Sequence, residues 1–226
     1  LEASKFNKKL KQFIHTSTSE VYGTAESIPI NEKHPLKGQS PYSATKIAAD
    51  QVAFAYNKSF DIPVTTIRPF NTYGPRQSLR AVIPTIITQF LGKKNKLNLG
   101  SIHPTRDFSF IDDTTNGFIS AIGKMNSLGE VINIGSGFEI SISDLVNTVA
   151  KIMDVKPEIS LERKRLRPKK SEVDRLICDN TKAGKILKWK PIYKGKKGLI
   201  KGLRETVNWF SQKENIKHYR SQVYNI

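Results

Sequence analysis

The sequence predicts an α/β fold built on a parallel sheet, and three observations carry that reading. Val64 to Phe70 and Val131 to Ile134 are short apolar runs rich in β-branched residues, the pattern of strands buried on both faces. Helical stretches of ten or more residues separate the strand-like runs, as strand-helix-strand units require. Polar turn residues follow the strand ends, at Thr18 to Glu20 and at Asn71 to Pro75.

The elements follow in order. Residues 1–11 read as the end of a helix, so the chain opens in mid-pattern, and Phe13 to Ser17 read as a strand running into the Thr18, Ser19, Glu20 turn. Ser40 is a capping residue and Pro41 suits a first helical turn, which starts a helix over the Ala-rich stretch from Tyr42 to Tyr56. Asp61 and Pro63 close it. Ala81 to Leu91 has helical spacing, Arg106 to Ile111 alternates as a strand, and Asp112 or Asp113 is placed to cap a helix through Lys124. Beyond Gly137 the pattern changes to a helix near Ser143 to Met153, a strand at Glu158 to Leu161, and helices near Thr181 to Leu187 and Lys197 to Phe210. That reads as a smaller appended lobe, with the last dozen residues a loosely held tail.

Composition narrows the class. At roughly 150 residues per domain, 226 residues make one large domain or a compact pair, and 38% hydrophobic with 25% charged residues is ordinary for a folded protein. No apolar run approaches the ~18 residues that span a bilayer, and no signal region opens the chain, so neither membrane insertion nor secretion is expected. Cys178 is the single cysteine, and His15, His34, His103 and His218 show no metal-ligand spacing. A cytoplasmic protein without a metal is the expectation. The net charge of +17 calls for an anionic partner. The dense run Arg163, Lys164, Arg165, Arg167, Lys169, Lys170 has no interleaved aromatics and matches no nucleic-acid module, which favours a phosphate-bearing small molecule over nucleic acid.

Tyr42 and Lys46 stand four apart on the predicted helix and project from one face. An ammonium beside a phenol favours the phenolate, so such a pair can act as a base. Thr18, Ser19 and Glu20 lie just past a strand end, and Arg68 to Arg76 leave the next strand in the same way. Ligands gather at such edges of open α/β sheets.

Together these segments resemble the extended short-chain dehydrogenase/reductases, the NAD-dependent epimerase/dehydratase family. The resemblance rests on T-S-E at Thr18 to Glu20, Y-x-x-x-K at Tyr42 to Lys46, R-P-F-N-T-Y-G-P-R from Arg68, R-D-F at Arg106 and N-I-G-S-G after Ile132. H-P-T-R-D-F and R-x-R-P-x-K-S-E-V look most like the 4,6-dehydratases acting on nucleotide-linked N-acetylglucosamine in legionaminic-type pathways. The resemblance implies a Rossmann-like doubly wound sheet with an α/β substrate-binding lobe: residues 1–78 as the remainder of an NAD-binding domain, and 79–226 as the lobe, with about 107–137 returning to the sheet. Such enzymes begin with a G-x-x-G-x-x-G turn for the NAD pyrophosphate, which these residues lack, so the chain is expected to be a C-terminal portion.

The implied chemistry maps onto named residues. Tyr42, tuned by Lys46 and assisted by Thr18, takes the proton of the sugar 4-hydroxyl while C4 passes hydride to NAD; Glu20 then removes the C5 proton. Ser19, which stands where several relatives have an aspartate, assists loss of the 6-hydroxyl as water before hydride returns to C6. Thr16, Ser17 and Pro69 join Tyr42 and Lys46 at the cofactor. Asn71, Arg76, Arg106, Arg165 and Arg167 are expected on the nucleotide-diphosphate sugar, with Ile83 and Pro84 against its base. The family commonly dimerises through the helix bearing Tyr42, so a homodimer is expected of a full-length form. Other readings are a 4-epimerase, which typically lacks the glutamate, a UDP-glucuronate decarboxylase, a catalytically incomplete fragment exposing an unpaired sheet edge, and a basic nucleic-acid-binding module resting on net charge alone.

Overall fold

The computed structural model describes residues 1–93, 95–166, 168, 171–217 and 219. Its centre is a parallel three-stranded sheet in the order β1 (Phe13–Thr16), β2 (Val64–Pro69), β6 (Val131–Ile134). Val64 to Arg68 are buried, as the apolar run predicts, and both α1 (Pro41–Phe60) and α3 (Ile111–Ala121) pack on this strand. Ser40 caps α1 as expected: its Oγ accepts from Ser43 N at 3.1 Å, and Ser43 Oγ accepts from Ser40 N at 3.0 Å. The helix runs to Phe60 and ends where Asp61 turns left-handed at φ 52°.

A second sheet pairs β3 (Asn71–Tyr73) parallel with β5 (Thr105–Phe110), and β5 antiparallel with β7 (Glu139–Ser141). A third, parallel pair joins β4 (Lys96–Leu99) to β8 (Glu158–Leu161). The largest apolar core lies among β3, β4, β5, α2 (Val82–Lys93), α4 (Ile142–Met153) and α6 (Gly195–Ser211), with Ile86, Phe110, Leu145 and Leu203 at its heart. A smaller core of Ile67, Ile132, Ile134, Leu187 and Trp189 joins α5 (Thr181–Leu187) to the central sheet.

The structure corrects several expectations. Residues 1–11 hold one 3-10 turn, Ala3–Phe6, rather than a helix end; Asn7 leaves helical geometry and its Oδ1 accepts from Lys9 N. Neither Asp112 nor Asp113 caps α3, whose cap position is Phe110. Asp113 instead reaches across the fold, each carboxylate oxygen accepting one backbone N–H, from Ile192 at 2.7 Å and Tyr193 at 2.8 Å. β7, which no sequence signal announced, runs antiparallel to β5 beside the parallel β3–β5 pair. The expected tail falls in part on residues 220–226, outside those described.

At the centre of the largest core Gly202 of α6 lies against Tyr73, whose hydroxyl donates to Leu199 O at 3.1 Å. A Cβ at Gly202 would stand 2.3 Å from that hydroxyl and 2.8 Å from the Phe110 ring. Gly202→Val is therefore expected to cost about 2 kcal/mol, read as a lowered urea midpoint; an unchanged midpoint contradicts this packing.

Candidate active site

The polar turn after β1 is a single 3-10 turn, Ser19–Tyr22, capped by Thr18, whose Oγ1 accepts from Glu20 N at 3.3 Å. Gly23 ends it at φ 67°, a conformation that L side chains seldom adopt, and a Cβ there would lie 2.2 Å from Lys37 O. This close approach folds the turn onto the lead-in to α1: Lys37 N donates to Val21 O at 3.0 Å and Thr24 N to Gln39 Oε1 at 2.6 Å. Glu20 is thereby held near the start of the helix that bears Tyr42 and Lys46.

A buried polar network fixes the same arrangement from below. Arg68 on β2 gives Nε and Nη2 to Asp50 Oδ2 at 3.0 and 2.8 Å, and Nη1 to Tyr22 Oη at 2.9 Å. Tyr22 donates onward to Asn133 Oδ1 on β6 at 2.7 Å, while His15 on β1 donates from Nε2 to Asp50 Oδ1 at 2.9 Å. Burial works against the Asp50 carboxylate, but the His15 hydrogen bond and the Arg68 charge outweigh it and hold its pKa below the ordinary range. Burial pushes Tyr22 up to about 12 against the pull of Arg68, so it remains a phenol and a donor.

A cavity of about 370 Å³ opens beside the turn, lined among others by Glu20, Asn71, Gln77, Arg80, Ile83 and Arg106. Its cover is the segment 172–178, a strap tied to the rest of the fold by Arg175 O accepting from Ala25 N, Asp174 O from Thr105 N and Ile30 N donating to Ile177 O. Val173 and Leu176 of the strap face the cavity. Arg106 reaches the strap through Nη2 to Glu172 Oε1 at 3.2 Å. Asp107, beside it, is wholly buried: Oδ1 accepts from Ser136 N at 2.9 Å and Oγ at 2.6 Å, and Oδ2 from Gly137 N at 2.9 Å and Cys178 N at 3.1 Å. Burial pushes its pKa up to about 6 despite these four donors.

The residues singled out by sequence are placed as follows. Glu20, Asn71, Ile83 and Arg106 share the cavity. Thr16, Ser17, Thr18 and Ser19 form the end of β1 and its turn; Ser17 N donates to Ile67 O at 2.8 Å, and the buried Ser19 Oγ has no hydrogen-bond partner. Lys46 Nζ donates to Thr16 O at 2.8 Å, which brings the helix charge to that strand end, and Tyr42 is 52% exposed one turn earlier. Pro69 ends β2. Pro84 is buried beside Ile83 but is not among the cavity-lining residues. Arg76 is exposed in a left-handed conformation, and Arg165 bonds Glu162 at 2.8 Å; neither lines the cavity. Arg167 lies outside the described residues.

Sequence reading missed Asp50 and the strap. Asp50 had a signal, being the only acid in the 20 residues of α1 and in step with Tyr42 and Lys46 at four-residue spacing. The strap makes no regular element, so beyond the Ser171, Glu172, Val173 end of the R-x-R-P-x-K-S-E-V motif it had no signal. Among the described residues no group of three His, Cys, Asp or Glu side chains is arranged to hold a metal ion, and no helix is long and apolar enough to cross a membrane.

Comparison with known proteins places this fold in a class. The family model described as GDP-mannose 4,6 dehydratase matches residues 1–201, and the chain belongs to that family, among the NAD-dependent sugar-nucleotide epimerases and dehydratases. A UDP-glucose 4-epimerase of Mycolicibacterium smegmatis is 32% identical over 209 residues, covering 90% of this chain and 64% of the relative. The solved UDP-glucuronic acid 4-epimerase of Bacillus cereus, in complex with UDP-glucuronic acid and NAD, aligns at a TM-score of 0.84 and 34% identity, covering 93% of this chain and 64% of that one. The dTDP-glucose 4,6-dehydratase of Bacillus anthracis, in complex with NAD, aligns at 0.80 and 30% identity, covering 90% and 62%. The chain thus spans just under two thirds of these relatives.

Two outcomes follow from the buried carboxylates. Asp50→Ala leaves the Arg68 guanidinium buried without its partner and is expected to cost about 3–5 kcal/mol in urea unfolding; a loss below about 1 kcal/mol contradicts the network. For Asp107 the folded pKa lies above the ordinary 3.8, so the native state binds the proton more tightly and stability from this group falls as pH rises from about 4 to about 6. The unfolding midpoint of the parent chain minus that of Asp107→Asn is therefore expected to shrink between about pH 4 and pH 7. Asp50, with its lowered pKa, acts in the opposite sense and is common to both proteins.

Proposed function

We propose that this chain carries the catalytic turn and substrate cavity of an NAD-dependent nucleotide-sugar 4,6-dehydratase, which converts its substrate to a 4-keto-6-deoxy sugar nucleotide. The observation that carries the reading is Glu20, a carboxylate that lines the cavity together with Asn71 and Arg106 while its own turn packs on the helix of Tyr42 and Lys46. A dehydratase needs a base for the C5 proton in addition to the base at the 4-hydroxyl, and Glu20 supplies the second one.

The residues present fit the nicotinamide end of NAD. Thr16, Ser17 and Pro69 lie at adjacent strand ends, Lys46 brings a charged donor there, Tyr42 is open to solvent, and Ser19 Oγ is a buried hydroxyl without a partner at the same turn. NAD bound there supplies the oxidation at sugar C4 and the matching reduction at C6. Tyr42, with Lys46 and Thr18 beside it, takes the 4-hydroxyl proton. Glu20 takes the C5 proton, made acidic by the C4 ketone. The 6-hydroxyl leaves as water with the proton that Glu20 took, passed on at the Ser19 end of the turn. C5 is then reprotonated from solvent as C6 is reduced, and Tyr42 gives the 4-hydroxyl proton up to solvent, so the product differs from the substrate by one water. Arg106 and Arg80, both on the cavity wall, are suited to diphosphate oxygens, and Ile83 offers an apolar wall to the base.

The likeness to two 4-epimerases favours a second reading, inversion at C4 without loss of water. Mass spectrometry separates the two. The chain, alone and joined to the N-terminal portion of a solved relative that carries the glycine-rich turn, is incubated with NAD and with UDP-N-acetylglucosamine, GDP-mannose or dTDP-glucose. Dehydration predicts loss of one water from one of these, abolished at least about 100-fold by Glu20→Gln. An unchanged mass with an altered C4 configuration, insensitive to Glu20→Gln, establishes the epimerase instead.

A further inference from the structure

Residues 182–204 hold eight lysines and one arginine with no Asp or Glu among them, in a chain whose whole net charge is +17. They form α5, the loop after it and the first part of α6, and all nine except Lys182 are exposed. Of these nine, Lys182 pairs with a carboxylate, Glu130 at 2.7 Å, and the other eight make no ion pair among the described residues. Charge equal to about half of the molecule's excess thus sits on one segment with a single ion pair.

The loop at its middle is pinned. Asp113 holds the Ile192 and Tyr193 amides, the buried Trp189 ring donates from Nε1 to Asp113 O at 3.1 Å, and Trp189 N donates to Ala183 O. Held in this way, the loop leaves the Ile192 side chain 70% exposed, with Lys188, Lys190 and Lys194 on either side in the chain. Tyr193 is turned away from an aromatic platform role: its hydroxyl donates to Glu205 at 2.9 Å and Lys201 Nζ lies 4.7 Å from the ring centroid.

We propose that this lysine-rich segment docks on an anionic phospholipid surface, with its lysines at the headgroup phosphates and Ile192 entering the acyl boundary. Exposed lysines close in the chain on either side of an exposed aliphatic side chain held in a pinned loop suit such a surface. A nucleic-acid strand is the poorer fit, because Trp189 is buried and Tyr193 is occupied, so the segment offers no free aromatic for base stacking. A second copy presenting the same segment here would set like charges against each other, so this segment is not a self-association surface.

The test is co-sedimentation of the protein with vesicles of equal parts phosphatidylserine and phosphatidylcholine, against vesicles of phosphatidylcholine alone. Binding is expected to the first only. Lys188→Glu, Lys190→Glu and Lys194→Glu combined should lower it at least about tenfold, and Ile192→Ser should lower it with the charge unchanged. Lys8→Glu, Lys9→Glu and Lys11→Glu combined alter the charge equally at the other end of the chain and should leave most of the binding. All these side chains are exposed, and circular dichroism confirms that each variant is folded. Equal losses from the two lysine triples, no effect of Ile192→Ser, or displacement of the protein from vesicles by a duplex oligonucleotide at equal charge concentration would each overturn the proposal.

Discussion

The buried guanidinium of Arg68 is the constraint on which the site depends. A full charge at 4% exposure is tolerable only with its donors satisfied and a counter-charge in contact. Asp50 supplies the counter-charge and accepts from two of the donors, with Tyr22 taking a third, and Asp50 lies on α1, two helical turns beyond Tyr42 and one beyond Lys46. The same carboxylate takes the His15 hydrogen bond from β1, and the same guanidinium bonds Tyr22 at the end of the Glu20 turn. One ion pair therefore sets the helix that carries the proposed base against the turn that carries the proposed second base, with Asn133 of β6 closing the chain of contacts.

Asp107 plays the corresponding part on the other side of the cavity. Its four donors come from the reversal after β6 and from the strap at Cys178, so one carboxylate joins the second sheet to both. The Arg68 network holds the turn that brings Glu20 to the cavity, while Asp107 and the Arg106 to Glu172 ion pair hold the strap that lines it through Val173 and Leu176. Arg106 and Gln77 on the cavity wall take part in that structure, whereas Glu20 and Asn71 project into the cavity without a structural hydrogen bond from their side chains and are available to a substrate.

Much of this was legible in the residues. Ser40 and Pro41 announce α1, and Glu158–Leu161 and Thr181–Leu187 are found where their residue pattern put them, because their signals are local. The three-residue strands β3 and β7 were not legible, since so short a strand is set by its partner. Asp113 shows the limit of capping rules: its position suited a cap, yet backbone amides nearly 80 residues away took its oxygens. Within the site, Glu20, Asn71 and Arg106 meet because each sits at or near a strand end on a shared edge. Arg165 does not join them, since a neighbouring acid, Glu162, captures it three residues away. Arginine in a basic run carries charge but no direction.

The central claim is that the Arg68 network couples the Glu20 turn to α1, β1 and β6 as one unit, and amide hydrogen exchange on Arg68→Lys tests it most directly. Lysine keeps the charge but loses the fork that holds Asp50 and Tyr22 together. The account predicts that protection falls jointly at the β1 strand, the Ser19–Tyr22 turn and the Asn133 strand, while α4 and α6 in the separate core keep theirs. Loss confined to β2 around the substituted residue, with the turn still protected, would contradict it.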